Sequence, residues 1–157
     1  MRCSINDISA VDYVLKHPEV YPWISDDGSP SAEEFTSSTM ISNPEVFVLM
    51  PSDGVVFILH PWNSITLEVH TNIVPERRGR EAISETMKAM SWIFENTGCL
   101  KIVTHVPSFN RQAKLFALKC KMKQEGVNRQ SFLKDGILYD QDILGITRKE
   151  WSCLPPL

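Results

Sequence analysis

Two side chains that accept protons near neutral pH, Glu68 and His70, lie two residues apart in the segment SITLEVHTNIV. Apolar and polar residues alternate along this segment, which is typical of a β-strand with one face in the core. The alternation places Leu67 and Val69 on the apolar face and Glu68 and His70 together on the polar face. A carboxylate and an imidazole on one strand face are residue types suited to general acid–base chemistry.

A third titratable side chain, His105, stands near the end of the apolar segment LKIVTHV. If this segment runs parallel beside the first strand, Glu68, His70 and His105 line the cleft between the two. Each also fits a plain structural role, as a polar residue on an outward strand face or a hydrogen-bonded histidine. A metal site of His70 and His105 is not expected, because no cysteine or further carboxylate completes a recognisable ligand spacing. His60 is expected to be distant, at the far end of its hairpin.

Three arginines and one glycine occupy the turn in VPERRGREAISETMK, between the alternating strand and an amphipathic segment. A helix that begins here presents free backbone N–H groups and the positive end of its dipole, which together favour an anion. Arg78 and Arg80 add charged donors suited to phosphate. Taken alone, the turn also fits a solvated basic helix start.

Turn residues and hydrophobic periodicity predict the elements that position these groups. Predicted strands cover Met1–Ile5, Val46–Met50, Val55–His60, Ser64–Val74 and Leu100–Val106, with one more on each side of Lys134-Asp135-Gly136. Predicted helices run from about Ile8 to Lys16, from Ser31 to Phe35, from the arginine turn to about Asn96, and from Asn110 to about Lys123. The three middle strands form an antiparallel meander, and the strand–helix–strand order predicts a parallel pair. We expect one α/β domain over residues 1–157, with a mixed, mostly antiparallel sheet.

Composition excludes several functional classes. A net charge of −3 provides no global basic field, and no aromatic–basic platform is present, so nucleic-acid binding is not expected. No apolar run reaches membrane-spanning length, so no membrane partner is expected. Four scattered cysteines without a C-x-x-C pair predict reduced thiols and a cytoplasmic location.

The order of elements and two motifs resemble the GNAT superfamily of N-acetyltransferases. The first motif is Ile73-Val74-Pro75-Glu76-Arg77-Arg78-Gly79, which matches the family's apolar-x-Pro-Glu-x-Arg-Gly signature. The second is Asn110-Arg111-Gln112-Ala113, which matches an Asn-x-x-Ala signature after the next strand. The resemblance implies a twisted sheet whose parallel strand pair splays apart, with acetyl-CoA as cofactor and an amine as acceptor.

The resemblance also implies roles for particular residues. Cofactor contacts are expected from the strand end, the turn and a later helix start, namely Ile73, Val74, Arg78, Gly79, Arg80, Ala82 and Asn110. Glu68 or His70 is the expected proton acceptor for the substrate amine. The acceptor itself, whether a protein N-terminus, a lysine or a small amine, stays open.

Two departures from the family pattern bear on activity. The family loop reads Arg-x-x-Gly-x-Gly/Ala, whereas Glu81 and Ile83 stand at the positions of the small residues. A carboxylate repels a pyrophosphate unless it turns away or pairs with an arginine, so weaker cofactor binding is expected. The family's frequent catalytic tyrosine corresponds to Ala117, which cannot donate a proton.

These departures leave a second hypothesis beside the acetyltransferase. The Arg-Gly-Arg-Glu-Ala turn more weakly resembles GNAT-like proteins from the virion-assembly and DNA-delivery genes of short-tailed phages. That resemblance implies a catalytically degenerate protein acting in particle assembly, with virion structural proteins as partners. Its location would then be the host-cell cytoplasm or the virion.

Overall fold

The structure of the chain is a computed structural model that describes residues 2–155, apart from the side chain at position 5. Within that range a six-stranded sheet has the order β1-β2-β3-β4-β6-β5. The strands are β1 (Phe47–Ser52), β2 (Val55–Asn63), β3 (Thr66–Ile73), β4 (Lys101–Pro107), β5 (Lys123–Lys134) and β6 (Ile137–Thr147). The helices are α1 (Ile8–Leu15), α2 (Tyr21–Ile24), α3 (Ser38–Ser42), α4 (Arg80–Asn96), α5 (Arg111–Lys119) and α6 (Arg148–Ser152). The predicted mixed, mostly antiparallel sheet is confirmed.

The parallel pair of β3 and β4 determines where a ligand can enter the sheet. Only three register pairs join the two strands, and the last pairs Glu68 with Val103. Beyond that point β4 continues to pair with β6 as far as Pro107, and β3 continues to pair with β2 as far as Ile73. The two strands therefore part at their C-terminal ends, as expected, and α4 makes the crossover between them.

Two hydrophobic clusters cover opposite faces of the sheet. On one face, α4 packs Met90 and Ile93 against a cluster that includes Leu67 and Val69 of β3. On the other face, α1 packs against a cluster that includes Val56 of β2. Because side chains alternate along a strand, the polar face of β3 lies opposite α4.

Three predicted elements differ from the structure, and the short helices α2, α3 and α6 lie where no helix is predicted. At the N-terminus only an isolated bridge joins Arg2 to Leu49, since Ser4 and Asp7 form a capping box that turns the chain into a 3₁₀ helix; Met1 lies outside the described residues. The helix predicted from Ser31 is a single turn, although the expected hydrogen bonds between Ser31 and Glu34 are present.

At the other end of the chain, α5 stops before Cys120, because Lys121 has a positive φ of 71° and β5 then begins. The short helix α6 was not predicted. Its signal is a second capping box, in which Thr147 accepts from the Glu150 N–H and Glu150 accepts from the Thr147 N–H.

The last two strands form the expected hairpin. Asp135 and Gly136 both have positive φ values, 52° and 73°, which suits a tight hairpin turn. Asp27 accepts hydrogen bonds from both backbone N–H groups and so fastens this turn to the loop after α2. In the described part of the chain, no helix is long and apolar enough to cross a membrane.

Candidate active site

The arginine turn begins α4 with its backbone donors free. Pro75–Arg77 form one 3₁₀ turn, and Gly79 is the N-cap of α4, with φ 105° and ψ −145°. This conformation strongly favours glycine, and an added Cβ would meet nothing within 4 Å. Among residues 2–155, no side chain caps the first turn of α4. The N–H groups of that turn are therefore available to an anion.

The three arginines of the turn have different surroundings. Arg77 donates to the Ser52 hydroxyl at 3.2 Å, and Arg78 donates to the Ile73 and Glu19 carbonyl oxygens at 3.3 and 2.9 Å. Arg80 is exposed and has no partner among residues 2–155. Of the two arginines predicted to contact a cofactor, Arg78 is tethered to the backbone and Arg80 is free to bind an incoming phosphate.

Glu81, which departs from the family pattern, is held by Arg77. The Arg77 guanidinium lies 2.9 Å from the Glu81 carboxylate, and 61% of the Glu81 side chain is exposed. The pairing reduces the negative field at the helix start. A carboxylate that is paired with an arginine in this way can coexist with a bound pyrophosphate. Exposed i,i+4 pairs contribute only about 0.3–0.5 kcal/mol, so Glu81 can move readily.

The backbone of Val74 is already engaged. Its N–H donates to the Gly54 carbonyl, and its own carbonyl accepts from the Arg77 N–H, both at 3.0 Å. A cofactor arm that pairs with Val74 must use the second lone pair of its carbonyl oxygen, because the N–H is already bonded. The stretch of β3 at residues 69–73, which no longer pairs with β4, offers a further open edge.

The titratable residues meet where β3 and β4 begin to part. His105 Nδ1 lies 2.9 Å from Glu68 Oε1, and their side chains are only 12% and 14% exposed. His70 Nε2 lies 4.0 Å from the same oxygen. The His105 ring and the Trp62 indole are nearly perpendicular, with ring centroids 5.4 Å apart. Glu68, His70 and His105 are thus brought together at the cleft.

His60 belongs to this cluster, contrary to the prediction that it is distant. The β2–β3 hairpin pairs His60 with Glu68 and Ile58 with His70. This register places His60 Nε2 3.0 Å from His70 Nε2 and 3.8 Å from Glu68 Oε2. The hairpin turns immediately after Asn63, so His60 lies near the turn and not at the far end. Counting residues outward from that turn would have found the pairing.

The imidazole of His70 favours its neutral form. Desolvation lowers the pKa of His70 below its ordinary value, the nearby Glu68 carboxylate opposes this, and His60 and His105 lower it further. With 46% of its side chain exposed, the ring remains accessible to a substrate from solvent. A neutral, accessible imidazole is the form that accepts a proton.

The second motif starts α5. The Asn110 side-chain oxygen accepts from the Ala113 N–H at 3.1 Å, which makes Asn110 the N-cap of the helix. Within residues 2–155 its side-chain nitrogen has no partner and is free to donate to a ligand. Ala117 is buried in the core cluster and presents no polar group.

Solved structures share this architecture along nearly the whole chain. Spermidine N-acetyltransferase from Vibrio cholerae, in complex with CoA and spermine, is 18% identical, with a TM-score of 0.77 over 97% of this chain and 96% of that one. A chimera of that enzyme with hSSAT is 18% identical, with a TM-score of 0.79 over 98% and 97%. A probable GNAT acetyltransferase from Chromobacterium violaceum is 15% identical, with a TM-score of 0.75 over 98% and 84%.

The chain has the GNAT fold. No protein-family model matches it, and no curated protein sequence does. Within the GNAT fold, the splayed pair is β3 and β4, and the helix after the arginine turn is α4. The three solved structures are acetyltransferases and give the virion-assembly hypothesis no support.

Proposed function

We propose that the protein is an acetyl-CoA-dependent N-acetyltransferase that acts on an amine. The observation that carries this proposal is the parting of β3 and β4 immediately beyond Glu68, beside the imidazoles of His70 and His105. A proton-accepting cluster thus lies where β3 and β4 part. The uncapped start of α4 follows β3 through the arginine turn.

The cofactor side of the site uses the chain's free donors. The backbone N–H groups at residues 79–82 and the Arg80 guanidinium bind the pyrophosphate, with Arg78 and the open edge of β3 up to Ile73 beside them. The Asn110 side-chain nitrogen donates a hydrogen bond to the cofactor arm, beyond the pyrophosphate. Glu81 stays paired with Arg77 and weakens binding without blocking it.

The acceptor side lies on the opposite face of the sheet. Leu67 and Val69 face α4, so the alternation directs Glu68 and His70 away from it. An amine that approaches from this face meets the thioester in the gap between the strands. Bringing the two reactants together in this way accounts for much of the rate enhancement in such a transfer.

The reaction transfers one acetyl group and removes two protons from the ammonium nitrogen. Glu68 or His70 takes the first proton, directly or through water, which frees the lone pair of the amine. The amine nitrogen then forms a bond to the thioester carbonyl carbon, the carbon–sulfur bond breaks, and CoA leaves as thiolate. The nitrogen loses its second proton to solvent, and the thiolate takes one proton from solvent because Ala117 supplies no acid, so the net reaction releases one proton.

The proposal leaves the identity of the acceptor amine open. The Vibrio cholerae enzyme with the same fold is named for spermidine, which makes a polyamine the first acceptor to test. The carboxylate of Glu68 at the cleft suits a cationic acceptor of this kind. A lysine side chain and a protein N-terminus offer the same reacting group.

The test is turnover of acetyl-CoA with a panel of amines that includes spermidine, lysine peptides and free peptide N-termini. Thiol release is measured for wild type, Glu68→Gln and His70→Ala, with His17→Ala as a control, because His17 lies on another part of the chain. Loss of a true base lowers turnover by roughly 10²–10⁴. Unchanged rates in both cleft variants would show that neither Glu68 nor His70 is the base. If acetyl-CoA neither binds nor turns over, the proposal is refuted.

A further inference from the structure

Three side chains of the β2–β3 hairpin converge on one point at the surface. The atoms are His60 Nε2, His70 Nε2 and a carboxylate oxygen of Glu68, and all lie within 4.8 Å of one another. The two imidazole rings are nearly parallel, with centroids 5.1 Å apart, whereas their Nε2 atoms are 3.0 Å apart. The nitrogen ends of the rings therefore tilt towards each other.

We propose that His60, His70 and Glu68 form a binding site for a first-row transition-metal dication such as Zn²⁺. Two histidines and one carboxylate with an open fourth position are a ligand set that zinc takes in proteins. Imidazole ligands favour zinc and its transition-metal neighbours over magnesium and calcium. The proposed function assigns no metal to this site.

The distances fit a tetrahedral ion after a small adjustment. Metal–ligand bonds of about 2.0–2.2 Å place neighbouring ligand atoms about 3.3–3.6 Å apart in a tetrahedron. The Nε2 atoms of His60 and His70 are 3.0 Å apart, and His60 Nε2 lies 3.8 Å from Glu68 Oε2, so both separations are within about 0.3 Å of that range. His70 Nε2 lies 4.0 Å from the other oxygen, Oε1, and one ligand atom from each of the three residues lies within 4.8 Å of the others. Rotation of the Glu68 carboxylate or of the His70 ring must therefore bring a single oxygen within reach of both histidines.

The carboxylate ligand is already oriented. Glu68 Oε1 accepts a hydrogen bond from His105 Nδ1 at 2.9 Å, which leaves Oε2 directed at His60. The Trp62 indole packs against the His105 ring at nearly a right angle, with an interplanar angle of 85°. Ligand groups fixed by such outer partners are typical of metal sites, and removal of the outer partner lowers affinity about 10–100-fold.

The backbone frame and the exposure also suit a metal. His60 faces Glu68 directly across two paired strands, and His70 lies diagonally, so the strands hold all three ligands. The side chains of His60 and His70 are 40% and 46% exposed, which leaves room for water or a substrate atom as the fourth ligand.

A bound ion would coordinate both Glu68 and His70, the two residues proposed as the base. Zn²⁺ would then inhibit acetyl transfer. This consequence rests on the proposed function, whereas the metal site itself does not. Direct binding without acetyl-CoA therefore tests the site even if the chain acetylates nothing.

The experiment is calorimetric titration of tag-free protein with Zn²⁺, and Co²⁺ absorption to identify the ligands. We expect one ion per chain and Co²⁺ bands of a nitrogen–oxygen site without thiolate charge transfer. Glu68→Gln, which keeps nearly the same shape, and His60→Ala should each lower affinity more than about 100-fold. His105→Ala should lower affinity about 10–100-fold, and the control His17→Ala should leave it unchanged.

Folding of each variant is checked by urea denaturation, so that loss of binding is not confused with loss of structure. The proposal is overturned by full Zn²⁺ affinity in Glu68→Gln and His60→Ala. A thiolate band with Co²⁺, or no binding of either ion at millimolar concentration, would overturn it equally.

Discussion

Replacing Gly54 with alanine should destabilise the fold and disturb the cofactor turn together. Gly54 has φ 81°, and an added Cβ would lie 2.7 Å from Val74 Cγ2 and 2.8 Å from Arg77 Cγ. Val74 is buried and β-branched, so its side chain cannot rotate away cheaply. Its N–H is also bonded to the Gly54 carbonyl, which ties any displacement to the start of the turn.

The expected loss in the free energy of unfolding on Gly54→Ala has two parts. A left-handed conformation costs an alanine roughly 1–2 kcal/mol, and overpacking costs typically 1–3 kcal/mol more. Gly136→Ala is the matched control, because Gly136 has φ 73° but nothing within 4 Å of an added Cβ. We therefore expect Gly54→Ala to lower the free energy of unfolding by about 2–5 kcal/mol, and Gly136→Ala by about 1–2 kcal/mol.

The assay is urea denaturation of wild type and both variants, followed by calorimetric titration with CoA. The free energies of unfolding are compared if the m-values agree. Gly54→Ala should weaken CoA binding roughly tenfold or more, since it displaces residues that begin the turn. Gly136→Ala should bind like wild type. Equal destabilisation by the two substitutions would show that the contact with Val74 is relieved at no cost and would refute the reasoning.

Three further predictions concern the cofactor turn, the thiols and the C-terminal cap. Glu81→Gln should strengthen CoA binding about two- to fivefold in calorimetry, because it removes a carboxylate that repels the pyrophosphate by about 0.5–1 kcal/mol at this exposed position; unchanged affinity would show that the pairing with Arg77 already neutralises the carboxylate. Burial raises the pKa of Cys120 to about 11, so a disulfide reagent at pH 8 should label Cys120 only after unfolding; a fast phase that survives in a variant with both Cys3→Ser and Cys153→Ser, which removes the two thiols that are not buried, would count against this. A hydrogen bond from Lys123, with those from Thr147, lowers the pKa of Glu150 from 4.5 to about 2. Its stabilisation is present above pH 4.5 and is lost as pH falls towards 2, so the stability deficit of Glu150→Ala in urea denaturation should shrink between pH 5 and pH 2; a constant deficit would contradict the shift.

The sequence predicts the middle of the fold well, because periodicity and turn chemistry agree there. The meander and the crossover helix follow from an alternating strand, a glycine-containing turn and a long amphipathic segment. The ends of the chain are less predictable. At Ser4 and at Thr147, a short capping box overrides the tendency of the flanking residues to continue as strand.

The candidate site is predictable only in part. The shared face of Glu68 and His70 follows from alternation within one strand, whereas the place of His60 depends on the register of two strands. A one-residue error in register moves every side chain to the other face, so the position of the turn after Asn63 had to be known first. The ion pair of Arg77 with Glu81 depends on side-chain directions that residue spacing alone leaves open.

Amide hydrogen exchange of the wild-type protein, with and without saturating CoA, tests whether CoA binds at the parted strands and the start of α4. We expect slower exchange at residues 79–83, where α4 begins, and at residues 69–73, where β3 has parted from β4. Protection should be absent from the β5–β6 turn, which serves as the internal reference. Unchanged exchange in both segments at saturating CoA, or protection confined to another part of the chain, would show that CoA does not bind there.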